Sequence, residues 1–144
     1  MMDLLARRDH SEKEIRQKLS RYEFKTEDIE AAIAYGKKNN WLPDDLESAS
    51  QLSEKTAKTL HRKKKGAIYI NQYLQEIGLP KVQTNSELEL EKALELVKNK
   101  YLIPEDADRE LKEKIKARIG RFLISRGFEM SIVRKVVFEK MRGP

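Results

Sequence analysis

The 144 residues include 30 lysines and arginines against 24 acidic residues, a net charge of +6, and charged side chains make up 38% of the chain. So many charges require most helices to keep one side in water and rule out a large buried core, while the modest cationic surplus favours polyanions or acidic protein surfaces as partners. The absence of cysteine excludes disulfide frameworks, zinc–thiolate sites, iron–sulfur clusters and thiol nucleophiles, and it agrees with a reducing cytoplasm. No apolar run approaches the roughly 20 residues of a membrane span. The opening Met1 to Arg8 lacks the apolar segment of a secretory signal, so the chain reads as soluble and cytoplasmic.

Asp3 to Arg8 predicts a short first helix. Ser11 and Glu14 then form an S-x-x-E capping box that starts the next one. The segment Asp44 to His61 predicts a longer helix with Leu46, Ala49, Ser53, Ala57 and Leu60 on one weakly apolar stripe, expected to be the loosest packed. A helix around Ile70 and Leu74 follows. Around Lys81 to Leu88 a further helix is expected to be short or fused to its successor. Leu88, Ala93, Leu94, Leu96 and Val97 form the next apolar stripe, ending near Lys100. After an acidic loop, Pro104 to Asp108, Arg109 opens a long basic helix containing Ile119. Pro43, Pro80 and Pro104 fall at boundaries, where proline is tolerated. No segment alternates with period two, so no sheet is expected.

These elements repeat. Ile15, Leu19, Phe24, Ile29 and Ile33 stand at offsets 0, +4, +9, +14 and +18. The same offsets give Ile70, Leu74, Leu79, Thr84 and Leu88, and again Ile119, Leu123, Phe128, Val133 and Val137. Only Thr84 breaks the apolar pattern. Offsets 0 and +4 stack on one helix face. Glycine at +8 (Gly78 and Gly127, with Glu23 in the first copy) can take positive φ and close that helix, folding the +9 residue back onto it. Offsets +14 and +18 then make the same-face pair of another helix. A preceding helix completes each unit, which predicts an all-α array of three tandem three-helix units with about nine helices.

No catalytic constellation appears. Gly36-Lys37-Lys38 lacks the leading glycine and following hydroxyl of a phosphate loop and reads as a helix end. His10 and His61 have no metal-ligand spacing around them and read as surface histidines. The carboxylates fit i,i+4 pairing with lysines better than an acid/base dyad. The expectation is a non-enzyme without metal or cofactor. Trp41 fits closure of the junction between units better than base stacking.

Two basic stretches stand out. Lys58, His61, Arg62, Lys63, Lys64 and Lys65 crowd a helix end before Gly66, where the helix dipole favours some positive charge. Four consecutive cations exceed that preference and point to an external counter-charge. Lys112, Lys114, Lys116, Arg118, Arg121 and Arg126 spread around a second helix.

The order of motifs resembles the RecX family. Leu4-Leu5-Ala6-Arg7-Arg8-Asp9-His10-Ser11, with Glu14-Ile15-Arg16-Gln17-Lys18-Leu19, is similar to the family's opening block, and Arg121-Phe122-Leu123-Ile124-Ser125-Arg126-Gly127-Phe128 to its closing R-F-L-x-x-R-G-F block. Trp41-Leu42-Pro43-Asp44-Asp45 looks like its aromatic-Leu-Asp-Asp joint with one proline inserted, and Lys65-Gly66 with Ile70 and Leu74 like its K-G-x-x-x-I-x-x-x-L helix. The middle segment departs from the family, with Leu46, Ala49 and a polar stretch where a Phe-Ala stripe is usual.

The resemblance implies an elongated, curved array, with units at 1–42, 43–86 (its last helix shortened) and 87–144. It implies a monomer that lies in the groove of the RecA filament and inhibits its extension, ATPase, strand-exchange and co-protease activities, modulating recombination, DNA repair and the SOS response. With the arginines of the opening motif, the candidate partner- or DNA-binding residues are Arg7, Arg8, Arg62, Lys63, Lys64, Lys65, Arg118, Arg121 and Arg126. Direct contact with single- or double-stranded DNA is expected to be weak and salt-dependent. The rival reading is a stand-alone helical nucleic-acid-binding protein.

Overall fold

The computed structural model describes residues 10–142. Among them are seven helices and no strand: α1 Glu12–Arg21, α2 Thr26–Lys38, α3 Leu46–Arg62, α4 Ala67–Glu76, α5 Ser86–Lys98, α6 Arg109–Ser125 and α7 Met130–Met141. The expected helix Asp3 to Arg8 lies outside the described residues.

Several helix starts follow from local side-chain chemistry, though Lys25 and Glu129 begin α2 and α7 without a side-chain cap. Ser11 Oγ accepts the Glu14 N–H at 3.1 Å and Glu14 Oε1 accepts the Ser11 N–H at 3.2 Å, completing both halves of the capping box. Asp108 caps α6 through the Leu111 N–H, and Asn85 caps α5 through the amides of Glu87 and Leu88. The Asn85 cap explains the missing helix near Lys81: the residues from there to Asn85 are non-helical, and Ser86 already belongs to α5.

The repeat is written in the backbone of three turns. The N–H at +9 reaches the carbonyl at +4 in each copy: Phe24 to Leu19 (3.3 Å), Leu79 to Leu74 (2.8 Å) and Phe128 to Leu123 (3.1 Å). The N–H at +8 reaches the carbonyl at +5 in each copy as well. This is the Schellman closure, in which a left-handed residue turns the chain so that orphan carbonyls are satisfied. Gly78 and Gly127 have φ of 79° and 89°, and Glu23 occupies the same conformation at 63°.

Side-chain burial follows the register in part. Leu19, Leu74 and Leu123 at +4 are all buried, as are Ile15, Ile70 and Ile119. Three expectations fail. Phe24 at +9 is 52% exposed, whereas Leu79 and Phe128 are buried. In the middle copy Thr84 falls in a loop, so no helix pairs +14 with +18, and Leu88 in the first turn of α5 is exposed while Glu89, Ala93 and Val97 take the buried face. On α3, Leu46 lies at the helix start and is 75% exposed, while Leu52, off the predicted stripe, is buried. Ser53 on the predicted stripe is buried because its hydroxyl donates to the Pro80 carbonyl at 2.7 Å.

Two apolar clusters form. One joins Ile15, Leu19, Ile29, Ile33 and Leu42 from α1, α2 and the following joint. The other joins Ala93, Val97, Ile115, Ile119, Leu123, Phe128, Ile132, Val133 and Val136 from α5, α6 and α7. The chain divides into two compact units, Met1–Lys58 with Gln72–Val82, and Thr59–Asn71 with Gln83–Pro144. Residues of α3 and α4 are shared between them.

Candidate partner-binding surface

The basic run begins where α3 ends. The His61 carbonyl accepts the Lys64 N–H at 2.9 Å and the Leu60 carbonyl accepts the Lys65 N–H at 3.1 Å, so the run forms the same kind of turn as the three repeat turns. Lys64 is its left-handed residue, with φ of 62°. Arg126 completes the closure from α6: its Nη2 donates to the Lys63 carbonyl at 2.6 Å and its Nε to the Lys64 carbonyl at 3.2 Å. A cation at these carbonyls meets the negative end of the α3 dipole. The two basic stretches, separate in sequence, therefore meet at one helix end.

Part of the counter-charge expected from outside is supplied within the chain. Lys64 Nζ pairs with Glu95 at 2.8 Å, and Lys65 Nζ lies 4.7 Å from the centre of the Tyr69 ring. Lys64 and Lys65 are half-buried by these contacts, while Arg62 and Lys63 remain exposed. Arg118 and Arg121 are exposed on α6, whose Ile115, Ile119 and Leu123 face the core. Arg7 and Arg8 lie outside the described residues.

Beside the run lies a group that the sequence reading missed. Glu89 and Lys92, both buried, pair at 2.5 Å. Glu89 also accepts the Ala67 N–H at 2.6 Å, holding the first turn of α4. Lys92 Nζ lies 2.9 Å from His61 Nδ1 and 5.6 Å from the centre of the Phe128 ring. An ammonium has no acceptor, so Nδ1 accepts and a neutral imidazole must carry its proton on Nε2. Partial burial of the ring and then the Lys92 charge hold His61 below its ordinary pKa of 6.5. The signal for Glu89 was its spacing, since Glu89, Ala93 and Val97 recur every four residues on the inner face of α5.

His61 is exposed, as expected. His10 is not a surface residue: it is buried, with Nε2 2.9 Å from Lys18 Nζ on α1. Trp41 follows α2, its ring edge-on to Tyr35 at 5.4 Å. Among the described residues no group of three or more histidine, cysteine or carboxylate side chains could hold a metal ion, and no helix is long and apolar enough to cross a membrane.

Helical units in tandem, whose ionisable groups cap helices, pair with one another or crowd an exposed cationic helix end, define an all-α helical-repeat protein. Residues 1–35 match the family model for the first three-helix domain of RecX, and residues 87–137 the model for its third three-helix domain. The chain is 34% identical over 143 residues to the regulatory protein RecX of Leptothrix cholodnii, covering 92% of this chain and 82% of that one. It is 28% identical over 128 residues to the regulatory protein RecX of Actinobacillus pleuropneumoniae, covering 89% and 82%. To that of Pectobacterium atrosepticum it is 31% identical over 149 residues, covering 88% and 86%. The chain belongs to the RecX family of regulatory proteins.

Proposed function

We propose that this protein binds the filament RecA forms on DNA and inhibits its extension, ATP hydrolysis, strand exchange and co-protease activity, without catalysis of its own. The observation that carries the reading is likeness to regulatory RecX proteins along nearly the whole chain, 92% of it in the Leptothrix protein. The turn of the middle copy supports it, because Leu79 closes on Leu74 at the same offsets as Phe24 on Leu19 and Phe128 on Leu123, where the side-chain pattern weakens. Repeat units at 1–42, 43–86 and 87–144 present successive surfaces of the kind that suits a long groove.

Contact falls in this proposal to the cationic positions Arg62, Lys63, Lys64 and Lys65, to Arg118, Arg121 and Arg126, and to Arg7 and Arg8 at the start of the chain. They meet an acidic surface of RecA or the phosphates of its bound DNA. The protein works in the cytoplasm as a monomer, and direct DNA contact is weak and salt-dependent.

The test is RecA ATPase on single-stranded DNA with substoichiometric amounts of this protein, beside nucleotide hydrolysis by the purified chain alone. Inhibition that requires RecA, with no hydrolysis by the chain alone, supports the reading. Loss of RecA inhibition at every salt concentration, with steeply salt-dependent DNA binding by the isolated chain, would leave the stand-alone nucleic-acid reading instead.

A further inference from the structure

Away from the cationic helix end, α6 and α7 enclose an open groove of about 560 Å³. Helix α7 has two apolar faces. Ile132, Val133 and Val136 enter the core. Val133 also reaches the groove, as do Val137 and Met141, which pack partly against the core, while Met130 and Phe138 line it from the outer side, 48% and 64% exposed. The cations among the lining residues are Lys116, Arg134 and Arg142, and no acidic side chain is among them. Glu113 pairs with Lys116 at 3.1 Å and Glu139 with Arg142 at 3.8 Å, both on the surface, where such pairs are weak.

Gly120 gives an independent indication that the groove admits an occupant. It sits well inside α6, where glycine costs helix stability relative to alanine. Among the described residues no close contact requires it. A Cβ there would meet only Val133 Cγ1 at 3.9 Å, an ordinary contact, and its φ is not positive. What the missing side chain does is keep the groove wall low, so that another backbone can approach α6 closely.

We propose that this groove binds an amphipathic helix of a partner protein, with apolar side chains on Met130, Val137 and Phe138 and carboxylates facing Lys116, Arg134 and Arg142. The apolar lining favours a protein over a nucleic acid, whose phosphates would gain nothing from Phe138 and the methionines. Arg134, with Lys116 and Arg142 held only by weak surface pairs, favours an acidic segment. A second copy of α7 would bring Arg134, Lys135, Lys140 and Arg142 against the same charges. This site is separate from the surface proposed above and does not depend on RecA being the partner.

The probe is a fluorescein-labelled peptide of about 18 residues, long enough to be helical when bound. It carries leucines at i, i+3, i+4 and i+7 and glutamates elsewhere; a control peptide has lysines in place of the glutamates. Fluorescence anisotropy with the full chain should show binding of the acidic peptide only. Gly120→Leu fills the groove and Arg134→Glu reverses its rim. Each should weaken binding roughly tenfold, with a melting temperature no lower than the parent's for Gly120→Leu. The proposal is overturned if the acidic peptide does not bind, if the lysine peptide binds as well, or if neither variant changes affinity. It is overturned too if Gly120→Leu abolishes binding of a single-stranded oligonucleotide but not of the peptide, or if sedimentation shows a dimer of the parent chain that Gly120→Leu dissociates.

Discussion

Gly66 and Gly127 meet backbone to backbone. A Cβ on Gly66 would lie 2.4 Å from both the carbonyl carbon and the carbonyl oxygen of Gly127, and one on Gly127 would lie 2.3 Å from Tyr69 Cβ. That approach lets the Gly66 N–H donate to the Arg126 carbonyl at 2.8 Å and the Ile68 N–H to the Gly127 carbonyl at 2.9 Å. The C-terminal end of α6 thereby satisfies amides that the first turn of α4 would otherwise leave unpaired.

Gly66→Ala and Gly127→Ala should each destabilise the protein by about 1–3 kcal/mol, the usual cost of overpacking, because the opposing atoms are backbone or sit close to it. Gly127 adds the strain of a positive φ. Gly120→Ala, inside α6 rather than in a turn, should instead stabilise by up to about 1 kcal/mol. Urea unfolding of the three variants checks this, and equal effects at all three glycines would contradict the close approach.

Glu23 holds the left-handed position that Gly78 and Gly127 hold in the other copies. Glu23→Gly should raise stability by roughly 0.5–1 kcal/mol, the relief of left-handed strain less the greater entropy of an unfolded glycine. A lower urea midpoint in this variant would mean that the Glu23 side chain makes a compensating contact.

The register makes a quantitative contrast between two leucines. Leu123 is fully buried and Leu88 is 49% exposed. Leu123→Ala should cost about 2–5 kcal/mol, and Leu88→Ala within about 0.5 kcal/mol of zero, as for an ordinary surface change. Chemical denaturation reads both directly.

His61 is held below its ordinary 6.5 by partial burial and by Lys92, with Lys64 adding in the same direction and Glu89 opposing. Between its folded pKa and 6.5 the unfolded chain binds more protons, so stability rises with pH across that window. The contribution is complete above about pH 6.5 and is lost as pH falls through the folded value. His61→Gln should flatten the stability profile there when melting temperature is followed against pH. Glu89→Gln tests the buried pair beside it. The amide oxygen can still accept the Ala67 N–H, but a lone Lys92 charge remains buried, which typically costs about 3–5 kcal/mol.

Charge reversal separates contact from structure on the cationic surface. Arg62→Glu with Lys63→Glu, and separately Arg118→Glu with Arg121→Glu, change exposed residues and should leave far-UV circular dichroism unaltered. If these positions contact the filament, each pair weakens RecA inhibition and lessens its salt dependence. Arg126→Ala should affect stability as well as inhibition. It removes a charged donor from two carbonyls and is expected to cost about 1–2 kcal/mol of stability. Inhibition assays beside thermal melts distinguish the two kinds of residue.

Much of this protein is legible from short stretches of chain. Ser11 and Glu14 meet three residues apart, the +4 carbonyl and +9 amide close a turn within one short segment, and same-face leucines are one helical turn from their neighbours. Such interactions depend on local geometry alone, so the all-α class, the starts of α1 and α6 and the three repeat turns follow from the residues that make them. What tertiary structure alone decided is which charged and aromatic groups are buried and what they touch. Glu89 reaches an amide 22 residues away, Lys92 an imidazole 31 residues away, and Arg126 a carbonyl 63 residues away. A glutamate, a lysine or an arginine has the same local preferences whether it faces water or a helix end, and only the neighbour brought in by folding determines its role. Phe24, exposed where Phe128 is buried in the same register, shows the converse, because one local pattern serves two surroundings.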